Sequence, residues 1–292
     1  MFEGTSTAII TPFRKDGSVD EECLRRIVDF QEENGVNSIV PCGSTGESAT
    51  LSHEEHVEVI SIVMDQVKKA KVIAGAGSNS TSEAVFLSRK AADLGADGIL
   101  SISPYYNKPT QEGIYRHYMA IADSIDVPLI IYNVPGRTGS NISAETTVRL
   151  ANDSSNVRAI KEASGNMYQI QKILGDKPKD FEVLSGDDGL AFPIIALGGV
   201  GVISVAANCC PRTMSQMVDL CLKEKYVNAS ALHYRMMPLY KDLFIESNPI
   251  PIKYVMKRLG FGNGEPRLPL TALSEESRAV LDRDIEDLGL IA

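Results

Sequence analysis

The sequence predicts an α/β fold, a (β/α)8 TIM barrel followed by a C-terminal helical appendage. Three observations carry that expectation. Short β-branched runs alternate with helical patterns, the runs number eight, and they recur roughly every 20–35 residues, the spacing of a βα unit. Eight such units make a barrel of about 220 residues, and the chain has 292. Its apolar fraction, 43%, is enough for a sizeable core.

The runs fall at 7–10, 38–40, 71–74, 98–102, 128–132, 158–161, 182–184 and 201–205. Helix starts lie between them. Ser52-His53-Glu54-Glu55 has the capping-box form, with Val57, Ile60, Val63, Met64 and Val67 following at helical spacing. Ser80-Thr81-Ser82-Glu83 repeats the device ahead of Ala84, Leu87 and Ala91. Gly35, Gly95 and Gly98 stand where helices end and turn into strands. From about Thr213 onward the pattern is helical with no strand. Met214, Met217, Val218 and Cys221 share one face, and Leu232, Met236, Leu239 and Leu243 share another. Pro249, Pro251, Pro266 and Pro269 punctuate the tail. The chain is therefore read as a barrel over 1–224 and a C-terminal helical region over 225–292, packed on the barrel or on a neighbour.

The net charge is −9, with no long run of one sign. That argues against nucleic acid or an anionic membrane as partner. No stretch of about 18 apolar residues suggests a membrane span. The start, Met1-Phe2-Glu3-Gly4-Thr5, lacks a basic and then apolar leader, so a cytoplasmic protein is expected. The cysteines, Cys23, Cys42, Cys209, Cys210 and Cys221, are odd in number and form no CxxC, which suits free thiols in the cytosol. Nothing marks Cys42, close to the candidate site, as reactive.

Barrel active sites lie at the C-terminal ends of the strands. There the second run leads into Gly43-Ser44-Thr45-Gly46-Glu47 and the fourth into Ser103-Pro104-Tyr105-Tyr106-Asn107. The fifth ends in Tyr132-Asn133-Val134-Pro135-Gly136-Arg137, the sixth in Lys161 and the seventh in Ser185-Gly186-Asp187-Asp188, while the eighth carries Ile203. Lys161 is the most informative residue. A charged amine in an apolar strand is costly unless neutral or paired, and a neutral amine attacks carbonyls. Lys161 is thus a candidate Schiff-base nucleophile, or else a lysine that reaches solvent or a carboxylate. Period two puts Ile130 and Tyr132 on one side of their strand, and Ala159, Lys161 and Ala163 on one side of theirs, with Glu162 toward the helices. Tyr132 then either shuttles protons beside Lys161 or is a core tyrosine bonded to backbone. Gly43-Ser44-Thr45-Gly46 is either a backbone nest for a carboxylate or an ordinary glycine-rich turn. Arg137 either grips a second carboxylate or sits in water. Taken together, these groups describe an enzyme joining an α-keto acid to another carboxylate-bearing carbonyl compound.

The segments 43–47, 104–107, 132–138 and 160–162, with Ser247-Asn248-Pro249-Ile250-Pro251-Ile252-Lys253, resemble the dihydrodipicolinate synthase family. This family belongs to the pyruvate-dependent class I aldolases, with N-acetylneuraminate lyase, and the similarity spans essentially the whole chain. The resemblance implies that Lys161 forms an imine with pyruvate and that Thr45, Tyr106 and Tyr132 relay protons, Tyr106 reaching in from a neighbouring subunit. It implies that the N–H groups near Ser44 and Thr45 hold the pyruvate carboxylate and that Arg137 holds that of L-aspartate-4-semialdehyde. Gly186 and the Ile203 carbonyl would line the pocket. The product would be 4-hydroxy-tetrahydrodipicolinate, on the way to diaminopimelate and lysine, made by a homotetramer built as a dimer of dimers. No cofactor and no metal are implied. Where many members have two threonines, this chain has Ser44-Thr45.

His53-Glu54-Glu55-His56 suggests zinc, but the spacing of three does not match the zincin pattern. It is a surface helix start or, by the resemblance, part of an L-lysine effector site with Ser48, Ala49, His53, His56, Asn79, Glu83 and Tyr105. Gly75-Ala76-Gly77 lacks the third glycine of a dinucleotide fingerprint. Gly198-Gly199-Val200-Gly201 is either a phosphate loop or a flexible entry into the last strand. Two other readings stand beside the synthase: a sister lyase acting on a sugar acid such as N-acetylneuraminate or 2-keto-3-deoxygluconate, and a catalytically silent barrel. Arg137 speaks against the first, because a sugar aldehyde offers it no carboxylate. Lys161→Ala should abolish borohydride-trappable imine formation with pyruvate while the thermal melt stays cooperative, since removing a buried amine removes its desolvation cost; full retained turnover would show that another residue is the nucleophile.

Overall fold

Strands that are apolar on both faces need cover on both sides, and eight of them find it by closing on themselves under a ring of helices. The computed structural model describes residues 1–291 and shows a closed barrel of parallel strands in chain order, with the eighth paired to the first. The strands are β1 Gly4–Ala8, β2 Ser38–Val40, β3 Lys71–Gly75, β4 Gly98–Ile102, β5 Leu129–Asn133, β6 Val157–Glu162, β7 Glu182–Ser185 and β8 Gly201–Ser204. Helices α1 Glu21–Glu33, α2 His53–Gln66, α3 Thr81–Asp93, α4 Gln111–Ala122, the single turn α5 Pro135–Thr138, α6 Ala144–Asp153, α7 Met167–Asp176 and α8 Asp188–Ala196 lie between them. Helices α9 Pro211–Leu222, α10 Tyr226–Asp242, α11 Ile250–Arg258 and α12 Glu275–Leu288 follow.

The period-two reading holds around the barrel. Val40, Ile73, Leu100, Ile130, Tyr132, Ala159, Leu184 and Ile203 point inward with Ala8, and Phe2 joins them. Their neighbours Ile39, Val72, Ile99, Ile131, Ile160, Val183 and Val202 face the helices. Glu162 faces outward too, fully buried, its carboxylate taking N–H groups from Ser164 (2.7 Å), Asn133 (3.1 Å) and Gln169 (3.1 Å).

The first strand lies upstream of its expected place at 7–10. It presents Ser6 and Ala8 to the crowded interior, and the Thr7 hydroxyl donates to Gln31 of α1 at 2.7 Å. Small and hydroxylated residues hid it from a search for β-branched apolar runs, while Ile9 and Ile10 are core residues just beyond its end. Ser52 and Glu55 form the expected capping box. Ser80 does not cap α3; Glu83 is drawn instead to Ser78 and to His53, 2.5 Å away. Gly35 (φ +83°) and Gly95 (φ +90°) end their helices in the left-handed region. Gly98 has a different reason to be glycine, because a Cβ there would meet the Phe2 ring at 2.8 Å. Likewise a side chain at Gly201 would run into the backbone of Gly4, and one at Gly199 into Ile194 of α8, while Gly198 takes a left-handed φ of +107°.

In the tail, Met214, Met217, Val218 and Cys221 of α9 are buried, as are Met236, Leu239 and Leu243. They belong to the same apolar layer as the barrel's helices. Helix α9 packs on β1, α10 on α8 and α9, and α12 on α10 and α11. The 225–292 region therefore shares the barrel's core and packs on its own barrel, and residues 247–253 return to the loop after β2.

Candidate active site

The register of β5 and β6 pairs Tyr132 with Lys161 at the C-terminal mouth of the barrel. Lys161 is only 5% exposed, and its Nζ lies 4.3 Å from the centroid of the Tyr132 ring. Burial pulls the amine down to about 8; the buried Asp188 carboxylate raises it and Arg137 lowers it further. Gly186 makes the room. A Cβ there would stand 3.0 Å from Lys161 Cε and 2.7 Å from the Ala163 methyl. Burial raises the Tyr132 phenol, while Arg137 and a hydrogen bond with the Ser44 side chain lower it.

The loop after β2 is shaped by Cys42 and Glu47, both in the left-handed region at φ +54° and +55°. Cys42 is buried, and burial raises its thiol. Among the described residues no protein acceptor takes the N–H of Ser44 or Thr45. Those two donors are free to take a ligand, as a backbone nest requires. The Thr45 hydroxyl accepts the Asn248 side-chain N–H at 2.9 Å, and Arg137 donates to the Asn248 carbonyl at 3.2 Å. The Thr45 hydroxyl thus faces Asn248, while the Ser44 side chain bears on the Tyr132 phenol.

Two cavities meet at this point, of about 440 and 380 Å³, both lined by Ser44, Tyr132, Arg137, Lys161 and Asn248. Such volumes suit small ligands. The smaller adds Thr45, Gly186, the α10 side chains Met237 and Lys241, and Phe244 just past that helix. The larger runs on to Ser48, Ala49, His53, His56, Glu83 and Tyr105. His56 is buried, lies 2.6 Å from the Gly75 carbonyl through Nε2, and is held down by desolvation. Asn79 is outside the lining but donates to the Tyr105 carbonyl at 3.1 Å. Ile203 lies fully buried inside the barrel and outside the lining. Tyr106 is 89% exposed, at φ +71°, and reaches neither cavity of its own chain.

Asn248 and Asp188 stand beside these residues without an assignment from the sequence reading. Asn248 lies in a segment noted only for its resemblance. Asp188 is buried at the start of α8, with one oxygen on the N–H groups of Val205 (3.1 Å) and Ala206 (2.9 Å) and the other without a partner among the described residues. Its signal was a carboxylate at the first position of α8, just past the short turn that follows β7.

A buried amine of lowered pKa, a phenol beside it, a free N–H nest and an arginine at a barrel mouth define a Schiff-base aldolase-type barrel. The profile of the dihydrodipicolinate synthetase family matches residues 1–288, and the chain belongs to that family. It is 53% identical over 99% of its length, and 96% of the relative's, to the 4-hydroxy-tetrahydrodipicolinate synthase of Chloroherpeton thalassium. The chloride-inhibited dihydrodipicolinate synthase of Acinetobacter baumannii complexed with pyruvate superposes at a TM-score of 0.97, with 44% identity over 100% of both chains. The enzyme of Cyanidioschyzon merolae with lysine bound superposes at 0.97, with 42% identity over 99% of both chains.

Imine formation by Lys161 should rise with pH along an acid limb with a pKa near about 8. Arg137→Gln should move that limb to higher pH, because it removes a cation that lowers the amine. Stopped-flow or borohydride-quenched rates with pyruvate measure both, and an unmoved limb would disprove the electrostatic link.

Proposed function

We propose that Lys161, Tyr132, Ser44 and Arg137, completed by Tyr106 of a second subunit, carry out the family's condensation of pyruvate with L-aspartate-4-semialdehyde. The chain is a lyase of lysine biosynthesis whose product is 4-hydroxy-tetrahydrodipicolinate, and full-length relatives at about 50% identity support that reading over a sugar-acid lyase. The single structural observation behind the residue assignment is Lys161: a buried amine at the cavity wall with its pKa lowered to about 8, 4.3 Å from the Tyr132 ring centroid.

The neutral Lys161 Nζ adds to the pyruvate C2 carbonyl, and loss of water gives the imine. The pyruvate carboxylate sits on the Ser44 and Thr45 N–H groups. Tyr132 hands protons to and from the departing oxygen through the Ser44 hydroxyl, and Tyr106 of a second subunit connects this relay to solvent; its exposure on its own chain supports that arrangement. Loss of a C3 proton gives the enamine, whose C3 attacks the aldehyde carbon. Arg137, oriented by Asn248, holds the second carboxylate. The substrate's amine then displaces Lys161 from the imine carbon as the ring closes. Residues 1–224 form the catalytic barrel and 225–292 the region that supplies Asn248. We read the enzyme as a homotetramer, a dimer of dimers, in the cytoplasm, where five free buried thiols would stay reduced. No helix among the described residues is long and apolar enough to cross a membrane.

L-Lysine is the proposed effector, held by His53, His56, Glu83, Ser48, Ala49, Asn79 and Tyr105 at the far end of the larger cavity. The lysine-bound relative supports this. Glu83, whose carboxylate Ser78 and His53 hold below the usual range, is the anion for the ligand's ammonium.

In an assay of pyruvate consumption, L-aspartate-4-semialdehyde should be strongly preferred to N-acetylmannosamine and glyceraldehyde. Arg137→Ala should weaken use of the semialdehyde far more than imine formation with pyruvate alone; equal loss in both would remove its assigned role. Millimolar L-lysine should inhibit the wild type and leave Glu83→Gln largely active, and a flat inhibition curve for the wild type would dismiss the effector site.

A further inference from the structure

Two motifs set apart by the sequence end in residues that the mechanism leaves unused, Glu47 and Lys253. They meet. Lys253 of α11 forms an ion pair with Glu47, and the two side chains are 2% and 1% exposed. The other Glu47 oxygen accepts the Arg267 backbone N–H at 2.9 Å. Lys253 also donates to the Glu265 carbonyl at 3.2 Å and sits 4.0 Å from the centroid of the Phe13 ring, which Arg267 covers at 4.3 Å. Arg267 in turn holds Glu55 of α2 at 2.5 and 2.7 Å.

A buried ion pair is a poor stabiliser, because desolvating two charges offsets most of their attraction. What it supplies is geometry. The loop 43–47 and the segment 247–253 touch at an inner point, Asn248 to Thr45, and at this outer one. The inner point is one neutral hydrogen bond at a cavity wall. The loop's left-handed Glu47 is strained and needs surrounding structure to hold it. Gly46, between the two points, is pressed to within Cβ distances of 3.1 Å from Cys42 N and 3.2 Å from the Ile9 carbonyl, and its own carbonyl takes the Thr11 hydroxyl at 2.7 Å. The loop is therefore stiff, and an anchor at Glu47 is felt at Thr45 and Ser44.

We propose that the Glu47–Lys253 pair is a positioning element for the reaction, setting the pyruvate nest at Ser44 and Thr45, and through Asn248 the Arg137 guanidinium, at their working distance from Lys161. The inference rests on the catalytic reading above.

The test uses pyruvate alone, trapped by borohydride, with mass spectrometry of the adduct. Lys253→Met leaves a buried carboxylate unpaired, so the decisive variant is Glu47→Gln with Lys253→Met, which removes both charges. It should fold with a melting temperature near the wild type's. Its second-order rate of Lys161 adduct formation should fall about 10–100-fold, the scale expected of a misplaced site, and Lys253→Arg should recover much of that loss. A folded double variant with the wild-type rate overturns the proposal. So does one that fails to fold, which would make the pair structural only. A wild type that gives no Lys161 adduct fails the catalytic reading instead.

Discussion

The enclosure of one amine governs the rest of this structure. Lys161 sits on a barrel strand with little exposure to water, and holding it near 8 rather than 10.5 sets on the order of 3 kcal/mol against its charged form. The folded value lies below the unfolded one. The penalty on folding is therefore complete below about pH 8 and is relieved as pH rises toward the unfolded value. The barrel's layers of packed side chains meet that cost, and in return the amine is neutral enough to act as a nucleophile. The neighbours follow from it. Ala159, Ala163 and Gly186 leave it room, Tyr132 offers a ring face to the amine, and Asp188 with Arg137 pull its affinity for a proton in opposite directions.

The site is assembled from parts far apart in the chain. The nest comes after β2, the phenol and arginine after β5, the amine from β6, and the residue touching both nest and arginine from the turn before α11. A parallel barrel brings all the strand ends to one rim, so loops of different length can contribute without disturbing the core. The C-terminal helices add the missing wall. They share the barrel's apolar layer, which holds the 247–253 segment against the rim.

Much of this was legible in the sequence, for physical reasons. Strands buried on both faces read as continuous apolar runs, and eight such runs stood out. The first was set a few residues late, because Gly4, Ser6 and Ala8 fill a tight interior with almost no side chain. Lys161 stood out because an amine in such a run needs an explanation. Glycines and hydroxyls marked the nest. The choice between Ser44 and Thr45 was not legible, since it depends on the left-handed turns at Cys42 and Glu47 and on an asparagine some two hundred residues away. Glu83 looked like a helix cap for the same reason: its competing partners, Ser78 and His53, become neighbours only when α2 and α3 pack.

The missing side chain at Gly186 carries a consequence for how this protein can change over time. A Cβ there would lie 2.7 Å from the Ala163 methyl, closer than such atoms approach, and 3.0 Å from two methylenes of Lys161, which would have to give. Alterations at these three positions cannot add independently, because residues that share one small volume are coupled. A bulkier residue at 186 displaces the Ala163 methyl and presses on the methylenes of the nucleophile itself, so the barrel widens at this point only by shifting the group that does its chemistry.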